Sequence, residues 1–443
     1  MNRKDLTKEY IDIINENPNI YYEDYKKALN KAINSNAKYK GRPVPFLYQA
    51  MFFTEEDIEN FNKIGDILIS ISNKITREYL NSPEFRKKFR YPKLLEDLIL
   101  VDPGYNINIP IGRFDLFYND REDFKFIEVN TDGSSGMNED NIFSKIMLDT
   151  LPIEKMQEKY HMDYFELIDN WVDTSLEIYN GFKNKVENPN IAIVDFTETG
   201  ITAEFEAFRD AYIRKGYNAI IADPRDLKYK NRGLYYQDIK IDLIYRRIVT
   251  VEFIEKANEI PDLIEAYTNG SVCLIGSLRS QIMHNKIIFK ILHDKDTLEL
   301  LTEEEQKFIR KHIPYTGEFR GDRSILEKVL DSKDDYIIKP VDSFASQGVY
   351  AGRDYSKEEW KSILNKAWNE DYLFQEFIEP PVEAFILFDE SGNISIEEFK
   401  LNIGVYMYNG KSSGVYTRIA RENIIFGREG YYSIPNLFVK KIQ

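Results

Sequence analysis

The chain has 443 residues, a formal net charge of −15, 43% hydrophobic and 30% charged residues. That length supplies a large buried core and about two or three domains at roughly 150 residues each, and the composition excludes disorder over most of the chain. The acidic excess excludes a non-specific nucleic-acid binder, which needs a basic face to displace counterions, and Cys273, the only cysteine, excludes a disulfide framework or cysteine-based zinc site within one chain.

A single cysteine fits a reducing compartment. Residues 1–19 have no apolar core of signal-peptide length, and no run of about 18 apolar residues follows. A soluble, cytoplasmic protein without a membrane partner is therefore expected.

Residues 1 to about 100 read as helical: 9–17, then 22–33, then a long segment opened by the cap Thr54-Glu55-Glu56-Asp57. In that segment Ile58, Phe61, Ile64, Leu68 and Ile71 recur at helical spacing. From Asn106 the period changes to two. Phe114 and Leu116 oppose Arg113 and Asp115; Ile127 and Val129 oppose Glu128 and Asn130. The short polar connector 119–123 predicts a hairpin, and helices are expected from there to about Phe182. A βαβ pattern follows, with strands at 191–196 and 218–227 around a helix at 197–216, then a strand at 241–247 ending in Arg246 and Arg247. The last part, 271–443, mixes a helix at 278–294, strands at 335–340 and 371–379, and a hairpin over 397–420 turning at Asn409-Gly410.

Asp115, Glu128 and Asn130 are three oxygen donors without imidazole or thiolate, a set that favours a hard ion such as Mg²⁺. If the two strands pair, the three share one face, and Arg113 stands beside them with a planar fork suited to a phosphate or carboxylate. The other reading is the wet face of an edge hairpin with Arg113 paired to Glu128. The Gly/Ser loop 131–136 after Asn130 suits an anion and equally suits a plain turn.

Lys339 ends an apolar strand, where an ammonium either meets an anion or snorkels to solvent, and residues 343–348 (SFASQG) offer hydroxyls and backbone donors to a phosphate. Lys286, inside an amphipathic helix, reads as a surface lysine. A Walker loop is absent, because five residues separate Gly404 from Gly410 and both lie in the hairpin. Cys273 reads as core packing, and the four histidines have no metal-ligand spacing.

Taken in order, Arg113-x-Asp115, Glu128-x-Asn130, His284-Asn285-Lys286, Ile338-Lys339-Pro340 and Gln375-Glu376-Phe377-Ile378 resemble the synthetase domain of the glutathionylspermidine synthase family over roughly residues 100–443. The resemblance implies an α/β (α+β) circularly permuted ATP-grasp fold. Its parts would be a helical N-terminal region (1–100), the metal-binding strands and helices of the core (101–190), a pre-ATP-grasp βαβ domain (191–270) and the ATP-binding part (271–443). It implies ATP and Mg as cofactors, with Asp115, Glu128 and Asn130 as metal ligands and Arg113 as the group stabilising the transferring phosphoryl. Lys286 and Lys339 would contact phosphates, Ser343, Ser346, Gln347 and Gly348 would cover them, and Gln375, Glu376, Phe377 and Ile378 would line the adenine pocket. Asp132, Ser134, Ser135, Arg246, Arg247 and Arg418 are the candidate substrate groups.

The activity so implied is ATP-dependent carboxylate–amine ligation through an acyl phosphate. A small-molecule or peptide carboxylate and an amine, polyamines included, are the expected partners, with no nucleic acid; a homodimer is compatible. A non-catalytic nucleotide-binding protein and an ATP-grasp phosphotransferase are the alternatives. The loops 131–140 and 343–348 depart from the family's usual sequences, and no cysteine amidase domain precedes the site.

Overall fold

The computed structural model describes residues 2–39, 41–198, 200, 202–342, 346–368, 370–425 and 431–442. At its centre is an antiparallel sheet. Ile111–Tyr118 and Phe124–Asn130 form the expected hairpin, closed by the Asn119 and Asp120 N–H groups donating to the Asp123 carbonyl. The 15-residue strand Ile394–Tyr408 pairs through its first half with Val382–Phe388 and through its second half with Ile111–Tyr118. Its other edge carries Lys411–Ala420, then Tyr432–Ile434. Asn409 and Gly410 both have positive φ, 47° and 80°, the conformation a two-residue type I′ hairpin needs.

Residues directly opposite one another in such a sheet share a face. Glu128, Asp115, Gly404 and Tyr416 therefore form one row across four strands, and Asn130, Arg113, Tyr406 and Gly414 form the next. The opposite face, with Phe114, Leu116, Ile403 and Val405, is buried in the core cluster that also holds Phe61, Ile64, Leu68 and Ile71 of helix Glu55–Asn81. That helix starts with a reciprocal cap between Thr54 and Asp57, as the sequence predicts.

The strict alternation expected for Phe124–Asn130 is corrected by a β-bulge. Asp115 pairs with Glu128 but Leu116 pairs with Phe126, so Ile127 is an extra residue. One added residue flips the side-chain alternation. Phe126 and Val129 are consequently the core residues, and Ile127 lines the cleft with Glu128 and Asn130.

The βαβ pattern forms a four-stranded parallel sheet in the order Cys273–Ile275, Leu243–Arg246, Ile191–Val194, Ala219–Ala222. Strands buried on both faces read as continuous apolar runs, which explains the burial of Cys273. A third sheet, Thr316–Glu318, Tyr372–Glu376, Tyr336–Pro340 and Tyr350–Ala351, is antiparallel and packs on helices Arg323–Asp331 and Lys357–Ala367 around Trp360.

Several elements differ from expectation, Lys38–Tyr39 and Arg42–Pro43 being short strands and the strand expected at 218–227 ending at Ala222. Met51–Thr54 and Tyr160–Tyr164, both within stretches read as helical, are strands flanking Asn436–Lys441. Their hydrogen bonds come from the far end of the chain, so four or five local residues carried no period. The helix expected at 278–294 is broken: Asn285 is extended, its side-chain oxygen accepts the Ile287 N–H at 3.0 Å, and a new helix runs Ile287–His293. No helix among the described residues is long and apolar enough to cross a membrane.

Gly404 is needed for space. A Cβ there would lie 2.6 Å from Arg113 Cδ and 2.9 Å from Asp115 Oδ1. Gly404→Val is expected to destabilise the fold by about 1–3 kcal/mol through overpacking, read as a lower urea midpoint at unchanged m-value; an unchanged midpoint would contradict this packing.

Candidate active site

The polar rows of the central sheet form the floor of a cleft of about 440 Å³, within the range of small-molecule sites. Asp115, fully buried, is its most constrained member. Its Oδ1 accepts from Arg113 Nε at 2.8 Å, and its Oδ2 accepts from Arg113 Nη2 at 3.2 Å, Arg418 Nη2 at 2.7 Å and Asn130 Nδ2 at 3.2 Å. Arg113 also donates through Nη1 to the Ser135 carbonyl at 2.8 Å, tying the loop after the hairpin to the sheet. Asn130 Nδ2 donates a second bond to Glu128 Oε1 at 2.8 Å and so bridges the two carboxylates.

Burial raises the pKa of Glu128, but Lys286, the Asn130 hydrogen bond, Lys339 and Arg113 outweigh it and hold the carboxyl at about 2. Lys286 Nζ is 4.0 Å from Glu128 Oε2. Lys286 reaches inward because of the break at Asn285: the Asn285 side chain donates to Asp342, and the Lys286 N–H donates to the Val341 carbonyl at 3.2 Å. The default reading of Lys286 as a surface lysine is thereby corrected. Lys339, 6% exposed, donates to the carbonyl of Ile127, the bulged residue, at 3.3 Å. Burial and the neighbouring Lys286 push its ammonium down to about 8, against the opposing pull of Glu128.

The structure brings most of the predicted residues to this one cleft. Arg113, Glu128, Asn130, Lys286 and Lys339 line it, with Ser346 and with Gln375, Glu376, Phe377 and Ile378 along one wall. Asp132, Ser134, Ser135, Arg247 and Arg418 also line it, whereas Asp115 lies beneath the floor, and Gln347 and Gly348 are not in the lining. Gly348 has φ 72°, and a Cβ there would meet the Tyr372 hydroxyl at 2.7 Å. Ser343 lies outside the described residues.

Arg246 is corrected from a substrate group to a buried structural one. It pairs with Asp132 at 2.7 Å and donates to the Gly276 and Ile248 carbonyls. Arg247 pairs with Glu204 at 2.9 Å and with the Tyr245 hydroxyl. Asp132, besides Arg246, accepts the Thr250 N–H at 2.6 Å.

Five further acids of the lining, Glu139, Asp195, Glu252, Glu255 and Asp342, have no sequence signature. An acid in the first turn of a helix, such as Glu139, is what any helix start shows.

Among the described residues no group of three or more His, Cys, Asp or Glu has metal-holding geometry. A cation here would therefore rest on Glu128, the Asn130 amide and oxygens of a ligand, because Asp115, expected as a third ligand, has both oxygens taken by Arg113, Arg418 and Asn130 beneath the floor. That set fits Mg²⁺, a hard ion that accepts few protein oxygens and takes the rest from water and phosphate. The Asn130 N–H now bridging the two carboxylates marks where positive charge is wanted, and rotating the amide presents its oxygen instead.

A family model described as circularly permuted ATP-grasp type 2 matches residues 89–420. Among solved structures, a glutathione synthetase-like effector from Globodera pallida, in its apo form, aligns with a TM-score of 0.59 at 11% identity, covering 95% of this chain and 97% of that one. A putative γ-glutamylcysteine synthetase from Methylobacillus flagellatus aligns with a TM-score of 0.42 at 11% identity, covering 83% and 87%. No curated protein matches this chain. The first likeness shows a common fold over nearly the whole of both chains. With the hairpin of Arg113 and Glu128 ahead of the lysine-bearing sheet and the family model spanning well over half of the sequence, the chain belongs to the circularly permuted ATP-grasp type 2 family.

Proposed function

We propose that the chain is an ATP- and Mg²⁺-dependent ligase that joins a carboxylate to an amine through an acyl phosphate. The observation that carries this reading is Lys339, a buried ammonium held near 8 beside Lys286 in the same cleft as Arg113. Two cations pressed together with so little solvent call for a strongly charged anion, and a polyphosphate supplies it.

ATP would supply the phosphoryl group that activates a carboxylate, and Mg²⁺, which Glu128 and Asn130 would hold, would neutralise charge on phosphate oxygens. Lys286 and Lys339 bind the polyphosphate, and Gln375, Glu376, Phe377 and Ile378 line the nucleotide's other end. Arg113 lies between the lysines and the Ser134–Ser135 loop, where it offsets charge that develops on the transferring phosphoryl. Positioning and electrostatics dominate such a reaction, so the chain needs no nucleophile of its own.

Glutathione with spermidine is the first substrate pair to test, given the motif resemblance. A broader screen offers glutathione and the common amino acids as carboxylates with ATP, Mg²⁺ and hydroxylamine, scored for hydroxamate and ADP. Hydroxamate with stoichiometric ADP is expected. A phosphorylated product without hydroxamate would indicate a phosphotransferase, and neither product would indicate a non-catalytic nucleotide binder.

Arg113→Ala is expected to lower kcat at least about 100-fold while ADP affinity stays within about threefold, because its charge acts in the transition state. Equal losses of rate and affinity would contradict that role.

The pH dependence of binding follows from Lys339. Phosphates favour its charged form, which the free protein holds fully below about 8 and loses as pH rises through that value. ATP affinity, measured by titration calorimetry, should therefore fall above pH 8 by up to about tenfold per pH unit. Lys339→Arg, charged throughout this range, should remove the fall; a fall that persists in this variant would assign it to another group.

A further inference from the structure

At the end of the cleft opposite the lysines, the Ser134–Ser135 loop runs into helix Met137–Leu148, and Glu139 stands in its first turn. Three of the backbone N–H groups that would ordinarily favour an ionised acid there are already taken, and Glu139 keeps only its own. Glu204 accepts from Gly136 and Met137 at 2.9 Å and from Asn138 at 3.3 Å, and it also holds Arg247. Glu139 instead accepts the Tyr416 hydroxyl at 2.7 Å, and that hydroxyl is 2.8 Å from Ser433 Oγ. Tyr416 comes so close only because residue 136 is glycine: a Cβ there would lie 2.9 Å from the ring. Glu139 is 8% exposed, and that exposure is to the cleft.

We propose that Glu139 is the proton acceptor for the attacking amine. This rests on the ligase reading. Tyr416 belongs to the same row as Asp115, so Glu139 is anchored to the sheet that carries Arg113 and lines the same cleft. In the step, the amine lone pair forms the C–N bond, the C–O bond to phosphate breaks with its electron pair going to phosphate, and the N–H proton passes to the Glu139 carboxylate. Glu139 then gives the proton to the departing phosphate, which leaves as hydrogen phosphate.

The surroundings suit the task. Burial and the Glu204 carboxylate raise Glu139 to about 7, against Tyr416 and Arg113, which lower it. Asp140, Tyr406 and Tyr431 are the other ionisable groups that interact with it. A general base works best with a pKa near the working pH. Asp195, the other lining carboxyl near 7, feels Arg247 first after burial and accepts from the Phe196 N–H rather than from a residue of the central sheet.

The test separates the two half-reactions, using each carboxylate that yields hydroxamate with the wild type. Glu139→Gln keeps an acceptor for Tyr416. It should form ADP in a single turnover within about threefold of the wild-type rate, yet make hydroxamate about 100-fold more slowly. The acid limb of the hydroxamate rate near pH 7 should disappear with it. Tyr416→Phe leaves the carboxylate but removes the hydrogen bond that lowers its pKa, and should move that limb to higher pH. An unchanged hydroxamate rate, equal loss of ADP formation and hydroxamate, or a limb unmoved in both variants would overturn the role of Glu139 alone. Absence of hydroxamate from the wild type with every carboxylate would overturn the ligase reading, and this role with it.

Discussion

Asp115 has both carboxylate oxygens filled by Arg113, Arg418 and Asn130, and its side chain is 1% exposed. Two arginines and an acid placed out of water carry a large desolvation cost, offset only when every oxygen has a donor. Removing one partner from such an arrangement typically costs about 3–5 kcal/mol, since the rest stays buried and uncompensated. Gly404 makes the clamp possible by leaving room above the sheet, and the hairpin at Asn409-Gly410 brings Arg418 into register with Asn402 next to it. Everything on the cleft floor is positioned relative to this carboxylate.

From that centre the cleft has two electrostatic ends. Toward the lysine-bearing sheet, Lys286 lowers the pKa of Lys339, and both lysines hold Glu128 ionised. Toward helix Met137–Leu148, Glu204 monopolises Arg247 and the helix N-terminus, which lets a second acid stay near neutrality. Arg113 spans the two through its bonds to Asp115 and Ser135. A polyanion at one end and a proton acceptor at the other, with a fixed guanidinium between them, is the polarity that acyl transfer from a phosphate requires.

How much of this was legible depended on whether the causes were local. The period of two in Arg113-x-Asp115 and Glu128-x-Asn130 marked one polar face correctly, and the apolar runs at 191–196 and 241–247 marked a parallel sheet. Ile127 was misplaced because a bulge depends on the partner strand's register and leaves no trace in the strand's own residues. Lys286 was misread because the run Ile287 to Leu292 continues a helical pattern across a break made by the Asn285 side chain. Met51–Thr54 was missed because its partner strand lies at 436–441. Arg246 was misassigned because paired arginines after a strand look alike, although one turns into the core and the other borders the cleft. The family resemblance supplied what periodicity could not, the order of the motifs.

The bulge at Ile127 connects the two sheets that matter. Ile127, the extra residue of the bulge, has no register partner on Ile111–Tyr118, and its carbonyl is the acceptor that Lys339, on a different sheet, reaches at 3.3 Å. Bulges recur beside functional sites because they re-aim backbone groups without altering the strands that carry them. Here the effect is to hold an ammonium near Glu128 without pairing it to that carboxylate. In the proposed reaction this is the charge a phosphate would meet, whereas an ion pair in the same position would satisfy Lys339 internally. The protein thus keeps the residue order of a stable hairpin while holding one buried ammonium on a backbone carbonyl.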